Sequence, residues 1–330
     1  MPVKIIPSFI ANIMAVYTKI TQQQLANHLA QYQLGELLSM HEIIDGIDNS
    51  NFIINTTTGK YIFTIFESRI KSQDLPFFIN LKQHLASKNI SCPLPINNKQ
   101  GNNISDFANK STAIVSFLDG QTLKPHSDGY YYNITAQHCF EVGKQLAKMH
   151  LATADFLAYR HNDLGCLELS KFAHKFSHQL DPLIPTVLSF LEQNWQQNCH
   201  NTGPLIPCHL DLFPDNVFFD DKQNLTGVID FYFAANDLPI YDFAIVVNAW
   251  CFDKTTFNQH KFEQLLMGYQ TYRIFTQAEM LLLPIANIAA ATRFYLTRLS
   301  DKIFTKPDSL VKIKDPSEYL AKLQYFCQNL

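Results

Sequence analysis

The stretch that decides the fold is CHLDLFPDNVFFDDKQNLTGVIDFYFA, residues 208–234. It contains the pattern His-x-Asp-x-x-x-x-Asn, formed by His209, Asp211 and Asn216. A further acid, Asp230, stands 19 residues after Asp211 (230 − 211). The apolar runs NVFFD and LTGVIDF flank a turn rich in Asp and Asn, which is typical of a short β-hairpin. The pattern therefore predicts a loop carboxylate and carboxamide close to a second carboxylate at a strand end.

This set of oxygen atoms suits phosphoryl transfer. A carboxylate such as Asp211 can orient an attacking hydroxyl and accept its proton. Asn216 and Asp230 offer the hard oxygen ligands that Mg²⁺ prefers. Asp and Asn are also common turn residues, whatever the function of the protein. The spacing of Asp230 at the end of an apolar strand, after an intervening hairpin, favours the catalytic interpretation.

Upstream of this stretch the sequence predicts a small α+β lobe. Thr21 and Gln24 have the spacing of a capping box, and the apolar stripe that follows predicts a helix ending by Gly35. Runs rich in Ile, Phe, Thr and Val then predict three strands. A helix over residues 75–88 and a further strand near 111–117 complete the lobe.

Downstream of residue 118 the apolar residues recur at three- and four-residue spacing, which predicts helices. The predicted helices cover 136–150, 164–178, 185–197, 265–272, 279–299 and 318–330. The sequence thus predicts an α+β protein with two unequal lobes, a strand-rich lobe over 14–118 and a helical lobe over 119–330.

Composition excludes several classes of function. The 330 residues carry 26 Lys+Arg against 29 Asp+Glu, so no general basic field exists for nucleic acid or an anionic membrane. The longest apolar stretch, residues 280–291, is interrupted by Pro284 and Asn287. It falls short of the roughly 20 residues that a membrane span needs. The seven cysteines, odd in number and without Cys-x-x-Cys, favour a reducing cytoplasm.

At these residues the chain resembles the aminoglycoside-phosphotransferase and choline-kinase superfamily of small-molecule kinases, and within it the bacterial homoserine kinases. The matching phrases include MAVYTKIT, GIDNSNFIINTTTGKYIFTIFE, LPFFINLKQHLASKNISCPLPI, CHLDLFPDNVFFD, GVIDFYFAANDLPIYDFAIVVNAWC and ATRFYLTRLSD. They spread from Met14 to Asp301, which is nearly the whole chain. Since members of the family commonly begin near MAVYT, residues 1–13 are expected to be an N-terminal extension.

The resemblance implies a fold and an activity. The fold is bilobal and protein-kinase-like, with a small antiparallel-sheet N-lobe and a larger, mainly helical C-lobe. The activity is ATP-dependent phosphorylation of the hydroxyl of homoserine, with Mg²⁺, to give O-phosphohomoserine for threonine biosynthesis. The implied partners are small molecules only, with no nucleic acid and no membrane, and the protein is expected to be a monomer or a homodimer.

The resemblance also implies roles for individual residues of the C-lobe. Asp211 matches the catalytic base, and His209 matches the histidine that braces it. Asn216 and Asp230 match the Mg²⁺ ligands. Asp242 matches an aspartate that supports the loop from behind.

Nucleotide contacts are implied in the N-lobe. Residues 46–52 stand where such kinases cover the phosphates with a hairpin, and 116–118 stand at the hinge, where backbone groups meet adenine. The nucleotide-binding residues implied in this way are Asn49, Ser50, Asn51, Thr64, Ser116, Phe117 and Leu118. The covering segment has a single glycine, Gly46, and an ordinary hairpin turn is an equally good interpretation of it.

Thr64 departs from the family pattern. The third strand of such kinases carries a lysine to the α- and β-phosphates, whereas the run YIFTIFE has Thr64 at that position. An uncharged threonine cannot replace that charge, so either another cation reaches the phosphates or Mg²⁺ and backbone donors suffice. Lys60, Arg69 and Lys71 are the candidates, and the sequence does not choose between them.

Homoserine as the acceptor requires three contacts: an acid for its ammonium, a cation for its carboxylate and a base for its hydroxyl. Asp237 could meet the ammonium and Arg293 the carboxylate. Tyr232 and Trp250 could wall the pocket. Each of these has a structural alternative, because Trp250 could be a core residue, Arg293 a surface residue and Asp237 a helix cap.

Two other functions are compatible with parts of the sequence. Another small-molecule kinase of the same fold would share Asp211 and Asp230 and would act on choline, hydroxylysine, methylthioribose or an aminoglycoside. A nucleotide-binding pseudokinase would explain Thr64. The intact set of base and metal-ligand residues argues against the pseudokinase, because a protein without catalysis has no chemical need for all of them.

Overall fold

The structure is a computed structural model that describes residues 18–43, 49–67, 70–305 and 313–330. The predicted N-terminal extension, 1–13, lies outside the described residues. So do residues 46–48 of the predicted phosphate-covering segment and the candidate cation Arg69.

Nine helices are described in these ranges, and they are concentrated in the second half of the chain. Their bounds are α1 Gln22–Leu29, α2 Leu75–Ser87, α3 Ala136–Thr153, α4 Leu169–Ala173, α5 Leu183–Asn198, α6 Pro239–Trp250, α7 Gln259–Gln270, α8 Gln277–Phe304 and α9 Ser317–Gln328.

The strands form one large sheet and three small ones. Their bounds are β1 Leu37–Ile43, β2 Asn49–Thr56, β3 Gly59–Phe66, β4 Ser105–Phe107, β5 Lys110–Ser116, β6 Gln121–Thr122, β7 Ile206–Cys208, β8 Val217–Phe219, β9 Leu225–Val228, β10 Ala235–Asp237, β11 Phe252–Asp253 and β12 Thr256–Phe257. The large sheet is antiparallel, in the order β1-β2-β3-β5-β4. The predicted α+β class is confirmed.

Helix α1 begins as its sequence predicts. Thr21 accepts a hydrogen bond from the backbone N–H of Gln24, and the Gln24 side chain accepts one from the backbone N–H of Thr21. This capping box satisfies two N–H groups that a helix start leaves unpaired. The buried face of α1 then joins a small core between the helix and the sheet, made of Leu25, Leu29, Tyr32, Leu34, Phe52, Ile54, Phe63, Ile65 and Ile114.

A second, larger core runs through the helical part and also includes α2. Every residue of α6 is buried, which makes this helix the centre of that core. Phe78 of α2 and Ala113 of β5 belong to the same core, although both precede residue 118. The larger core thus contains residues from both sides of residue 118. The division of the chain into two lobes at this residue stays a prediction.

Two predicted helices differ from the observed ones. Within the predicted helix over 164–178 only α4 is α-helical; 3-10 turns flank it at Cys166–Glu168 and His174–Gln179, and the chain departs from helical angles at Phe176 (φ −142°, ψ 34°). Helix α7 begins at Gln259, six residues earlier than predicted. The cause is Asn258, whose side chain accepts the backbone N–H of Lys261 and caps a polar first turn that apolar periodicity does not reveal.

Helix α8 is long and apolar enough to cross a membrane by length and composition alone. However, 78% of its apolar window is buried inside the protein, as in the core helix of a globular protein. Its start is fixed by a capping box between Thr276 and Glu279.

Helices α3 and α7 approach so closely that glycine is required at the contact. A Cβ built on Gly268 of α7 would lie 2.0 Å from the backbone oxygen of Phe140 in α3. A Cβ on Gly143 of α3 would lie 2.1 Å from the backbone oxygen of Leu265 in α7. Since both obstacles are backbone atoms, neither contact can be relieved by moving a side chain.

We expect Gly268→Ala to destabilise the protein, although Ala is normally better than Gly in a helix by about 1 kcal/mol. The methyl group forces α3 and α7 apart, and overpacking of this kind costs about 1–3 kcal/mol. The free energy of unfolding in urea measures the change. Met267→Ala, at an exposed neighbouring position of the same helix, is the control and should change stability by less than about 0.5 kcal/mol. A more stable Gly268→Ala protein would contradict the proposed contact.

Candidate active site

The site is built on the loop over residues 209–216, which joins β7 to β8 and is called the 209–216 loop below. Leu210 has a left-handed backbone conformation, with φ 61°, which is uncommon for a residue with a branched side chain. Asp242, in the first turn of α6, holds this conformation. Its carboxylate oxygens accept the backbone N–H of His209 at 2.9 Å and that of Leu210 at 2.8 Å.

Asp242 itself is completely buried and keeps its negative charge through its partners. Burial alone would raise the pKa of this carboxyl, but the hydrogen bond from His150, the nearby imidazoles and the loop N–H hold the pKa below its ordinary value. His150 lies 3.1 Å from Asp242 through Nε2, and its Nδ1 lies 2.7 Å from the hydroxyl of Tyr269. The position expected for Asp242, behind the loop, is the one the structure describes.

His209 links the 209–216 loop to the strand that precedes Asp230. Its Nε2 lies 2.9 Å from the backbone oxygen of Ile229, and its Nδ1 accepts the backbone N–H of Asp211 at 3.2 Å. A ring that donates from Nε2 and accepts at Nδ1 is neutral. Burial lowers the pKa of His209, which favours the same neutral form.

Asp211 and Asn216 are held together at the end of the loop. The amide –NH₂ of Asn216 donates to the backbone oxygen of Asp211 at 2.8 Å and to its Oδ2 at 3.3 Å. The carbonyl oxygen of Asn216 is therefore the end of the carboxamide that can bind a cation. Burial and the charge of Asp230 raise the pKa of Asp211 well above its ordinary value.

Asp230 follows β9 and completes the group of oxygen atoms. It has left-handed backbone angles, φ 65° and ψ 62°, which turn the chain sharply after the strand. The carboxylate of Asp211, whose pKa is raised by burial and by the charge of Asp230, lies with Asp230 and the carboxamide oxygen of Asn216 in a group that fits a divalent cation. Such a cation would offset the repulsion that this pair of charges creates.

The side chain of Thr64 is hydrogen-bonded to another residue of the N-terminal sheet. Its hydroxyl donates to the Oδ1 of Asn51, its neighbour on β2, at 2.8 Å. Ser50 donates to Oε1 of Glu67 at 2.7 Å, and the backbone N–H of Glu67 lies 3.4 Å from the Oδ1 of Asn49. The three predicted covering residues are thus tied to β3 and the residue after it.

The two described candidates for the missing lysine lie elsewhere. The ammonium of Lys60 sits 3.6 Å from the ring centre of Phe117. The ammonium of Lys71 forms an exposed ion pair with Asp163 at 3.6 Å. Neither contact involves Asp211 or the other oxygen ligands.

The structure instead brings Lys82, from α2, to this region. The side chain is buried, and its ammonium lies 5.5 Å from the ring centre of Tyr232. Burial lowers the pKa of Lys82 to about 8, while the charges of Cys92 and Asp230 act in the opposite direction. Lys82 was not predicted from the sequence. The available signal was its position between Phe78 and Leu85 on the apolar face of a helix, where a lysine is unusual.

Ser116, the first of the three predicted hinge residues, already has hydrogen-bond partners within the protein. The backbone N–H of Ser116 donates to the oxygen of Leu94 at 2.9 Å, and its hydroxyl accepts the N–H of Leu94 at 2.9 Å. These bonds leave the backbones of Phe117 and Leu118 as the predicted adenine contacts. Leu118 packs closely on the hairpin, since a Cβ on Gly227 would lie 2.7 Å from its side chain.

Asp237 and Arg293, predicted to meet the acceptor, are both buried and interact through their charges. Asp237 accepts the amide N–H of Asn162 at 2.6 Å and the backbone N–H of Leu238 at 2.7 Å. Burial raises its pKa to about 6, against the effect of these bonds and of Arg293. The group remains mostly ionised at pH 7.

Arg293 on α8 is 1% exposed, yet its Nε and Nη1 have no hydrogen-bond partner in the described part of the chain. Its guanidinium lies 4.9 Å from the ring centre of Phe294 and 5.8 Å from that of Phe233. Its charge acts on both Asp211 and Asp237. The alternative that Arg293 is a surface residue is therefore wrong.

Tyr232 and Trp250 occupy different environments. Tyr232 is half-buried, and its ring packs edge-on against Phe66 and Phe78, each at 5.6 Å between ring centres. Trp250 is completely buried, and its indole N–H donates to the backbone oxygen of Leu212 at 2.8 Å. The structure thus places Trp250 in the core, supporting the 209–216 loop, rather than in the wall of an acceptor pocket.

Comparisons with known proteins agree with this geometry. The sequence model of the phosphotransferase enzyme family matches residues 39–275. The chain is 42% identical over 320 residues to a homoserine kinase of Agrobacterium fabrum, covering 94% of this chain and 95% of that protein. It is 41% identical over 320 residues to a homoserine kinase of Xanthobacter autotrophicus, covering 94% and 96%.

Solved structures share the fold at low sequence identity. An amicoumacin kinase in complex with AMP-PNP and Ca²⁺ superposes with a TM-score of 0.68 at 15% identity, covering 93% of this chain and 92% of that chain. A choline/ethanolamine kinase family protein from Mesorhizobium loti superposes with a TM-score of 0.65 at 16% identity, covering 93% and 92%. The predicted kinase-like fold is confirmed by these likenesses.

We expect Asp242→Asn to lower the free energy of unfolding by about 2–4 kcal/mol at pH 7, because an amide cannot offer charged oxygens to the N–H of both His209 and Leu210. The folded pKa of Asp242 lies below the unfolded value of about 3.9. Its stabilising effect is therefore complete above about pH 4 and lost as the pH falls through the folded value.

Urea titrations of both proteins at pH 7 and near pH 3 measure this difference, which should shrink at the lower pH. Asp163→Asn, at an exposed ion pair, is the control and should leave the unfolding free energy nearly unchanged. A wild-type stability at pH 7 equal to that of Asp242→Asn would show that the carboxylate does not hold the loop.

Proposed function

The chain belongs to the phosphotransferase enzyme family, and we infer that it is a homoserine kinase, which transfers the terminal phosphoryl group of ATP to the side-chain hydroxyl of homoserine. The resemblance that the sequence predicted is confirmed by the family match and by relatives that align with nearly the whole chain. The product, O-phosphohomoserine, places the enzyme in threonine biosynthesis.

In the proposed mechanism Asp211 orients the acceptor hydroxyl and takes its proton. The hydroxyl oxygen forms a bond to the γ-phosphorus as the bond to the β–γ bridging oxygen breaks, and ADP leaves. Asn216 and Asp230 would hold Mg²⁺, which neutralises charge on the nucleotide when bound. His209 keeps the backbone of Asp211 in place, and no covalent enzyme intermediate is required.

Lys82 supplies positive charge that Thr64 cannot. It is a buried ammonium whose charge acts on Asp230, and it reaches this position from α2 rather than from the third strand. In this proposal Lys82 takes the place of the strand lysine, while Thr64 holds Asn51. A cation in this position, together with the base and the metal-ligand residues, supports catalysis over a pseudokinase.

The buried guanidinium of Arg293 is the observation that supports homoserine as the acceptor. Its unpaired Nε and Nη1 are costly in the absence of an anion, because a buried charge must be paired or hydrogen-bonded. A carboxylate can accept two parallel hydrogen bonds from a guanidinium. Homoserine carries a carboxylate, as does hydroxylysine, whereas choline, methylthioribose and aminoglycosides do not.

Asp237 is proposed to meet the ammonium of homoserine. It lies at the end of β10, next to β7, which leads directly into the 209–216 loop. Its ionised carboxylate and the guanidinium of Arg293 offer opposite charges at one site, as a zwitterionic amino acid requires.

The cytoplasm is the proposed location. All seven cysteines lie in the described ranges and are free, which fits a reducing compartment. The expectation of a monomer or homodimer stays a prediction.

Asp211→Asn is expected to lower kcat with homoserine by about 10³-fold or more, because an amide cannot accept the hydroxyl proton. A coupled ADP-release assay measures turnover, and calorimetry should show that the variant still binds MgATP. Asp221→Asn, in the exposed turn of the hairpin, is the control and should retain wild-type turnover. Retained turnover in Asp211→Asn would refute the role of Asp211 as the base.

The acceptor assignment predicts how the enzyme discriminates between homoserine and 3-aminopropanol, which is homoserine without its carboxylate. The wild-type kcat/KM should favour homoserine by about 100-fold or more, because 3-aminopropanol leaves Arg293 unpaired. Arg293→Met should remove most of this preference by losing activity on homoserine alone. Arg273→Met, which removes an arginine already paired with Glu279 at 2.6 Å, is the control and should keep the preference.

Equal loss on both acceptors in Arg293→Met would contradict the contact with the carboxylate. A wild-type protein that phosphorylates another acceptor of the panel but not homoserine would contradict the proposed function itself. Hydroxylysine, choline, methylthioribose and an aminoglycoside complete the panel.

A further inference from the structure

We propose that the hydroxyl of Tyr319, on the C-terminal helix α9, is part of the acceptor site and donates a hydrogen bond to the carboxylate of the acceptor beside Arg293. The proposal rests on the proposed function and deepens it. It assigns to the last helix of the chain a direct part in recognising the substrate.

The position of Tyr319 connects α9 to the two elements that form the site. Its side chain is completely buried. Its ring centre lies 6.5 Å from that of Phe213, two residues after Asp211 in the 209–216 loop. It lies 5.2 Å from the ring centre of Phe294, which follows Arg293 on α8. The ring therefore fills the space between the loop and α8.

The hydroxyl of Tyr319 has no hydrogen-bond partner among the residues that the structure describes. Buried tyrosine hydroxyls normally have a partner, because leaving one unpaired in the interior is unfavourable. Tyr295 on α8, for comparison, accepts the backbone N–H of Asp181 at 3.0 Å. An unpaired hydroxyl that is fully buried next to a catalytic loop is a feature that a ligand would satisfy.

The unpaired atoms of Arg293 and Tyr319 are complementary to one chemical class. Nε and Nη1 of Arg293 can only donate, and the hydroxyl of Tyr319 remains protonated because burial raises its pKa well above the ordinary value. The charges of Arg293 and Asp211 both act at Tyr319, which places the three groups in one neighbourhood. Three donors together fit a group with several acceptor lone pairs, and a carboxylate is such a group.

The ring of Tyr319 is held in a fixed orientation by charges on α8 and α9. The guanidinium of Arg298 lies 4.4 Å from the ring centre and the ammonium of Lys322 lies 4.5 Å from it. Glu318 joins the two cations, since it accepts from Arg298 at 2.6 Å and from Lys322 at 2.7 Å. A side chain held in this way loses little freedom when it binds a ligand.

The two cations of this ion-pair group also hold backbone oxygens. Arg298 also donates to the backbone oxygen of Asp315 at 3.1 Å, and Lys322 donates to the backbone oxygen of Asn248 at 2.9 Å. These contacts indicate a supporting role for the group formed by Arg298, Glu318 and Lys322. Among Arg298, Glu318, Tyr319 and Lys322, the buried side-chain atom without a partner in the described residues is the hydroxyl of Tyr319.

The test is Tyr319→Phe, which removes one oxygen atom and keeps the ring. We expect the KM for homoserine to rise about tenfold, which corresponds to one lost hydrogen bond, with the KM for ATP unchanged. Kinetic constants for 3-aminopropanol should stay at wild-type values, because that acceptor has no carboxylate. The melting temperature should be unchanged or higher, because no partner loses its hydrogen bond.

Tyr32→Phe is the matched control. Tyr32 is also buried, but its hydroxyl is hydrogen-bonded to Ser105 at 2.8 Å, beside the N-terminal sheet. This substitution should lower the melting temperature and leave the KM for homoserine unchanged. The two variants therefore separate a structural hydroxyl from one that binds the substrate.

A double-mutant cycle tests whether Tyr319 and Arg293 bind the same group. In an Arg293→Met background the additional effect of Tyr319→Phe on homoserine should be several-fold smaller than in the wild type, because the carboxylate is no longer held in place. The inference is overturned if Tyr319→Phe leaves the KM for homoserine at the wild-type value, or if it impairs 3-aminopropanol equally. Failure of the wild-type protein to phosphorylate homoserine would instead overturn the proposed function.

Discussion

The carboxylate of Asp242 is the contact on which the rest of the site depends. It accepts two consecutive N–H groups of the 209–216 loop and a bond from His150, all at a fully buried position. These bonds keep Leu210 in a left-handed conformation, and that conformation directs the chain so that Asp211 follows. The loop would otherwise favour an ordinary extended or helical geometry. A charge buried in α6 thus determines the direction of a loop that carries no glycine.

The charges of the protein are concentrated where the ligands would bind. The chain as a whole is nearly neutral and has few charged residues. Yet Asp211 and Asp230 repel each other, Lys82 is buried within reach of the charge of Asp230, and Arg293 is buried with unpaired nitrogen atoms. Each of these positions is unfavourable in the unliganded protein, and groups of opposite charge would relieve it. Buried charged groups that lack full pairing are more typical of functional sites than of structural ones.

The part of the site that the sequence predicted is the part that is local in the chain. Asp211, Asn216 and Asp230 are joined by one hairpin, so their spacing alone placed them together. Lys82 and Tyr319 were not predicted, because they reach the site from helices distant in sequence. On each helix they share the apolar face, where a lysine or tyrosine looks like part of the core. Only the packing of the two helices shows that Lys82 lies near Tyr232 and Asp230 and that the hydroxyl of Tyr319 has no partner among the described residues.

Among the helices too, a feature set by near neighbours in the chain was predicted, and a break in the backbone was not. The capping box of Thr21 and Gln24 predicted the start of α1 correctly, because a cap is a contact between near neighbours. The error at 164–178 arose where a helical pattern is interrupted by the backbone at Phe176, which no residue type there signals. Trp250 was expected to line a pocket, since indoles suit both pockets and cores. Its buried bond to Leu212 makes it a support of the loop instead.

The catalytic and acceptor-binding parts of the protein depend on different elements, and this separation explains how one fold can act on several acceptors. The 209–216 loop and the hairpin are fixed by α6 and need no information about the acceptor. Arg293 and Tyr319 lie on α8 and α9, which pack against the loop through Phe213 and Phe294. A change in these two helices can alter the acceptor while the phosphoryl-transfer geometry is retained. In the proposed site, the acceptor carboxylate is recognised by residues of the C-terminal helices, whereas its ammonium meets Asp237 at the end of β10, next to the strand that leads into the 209–216 loop.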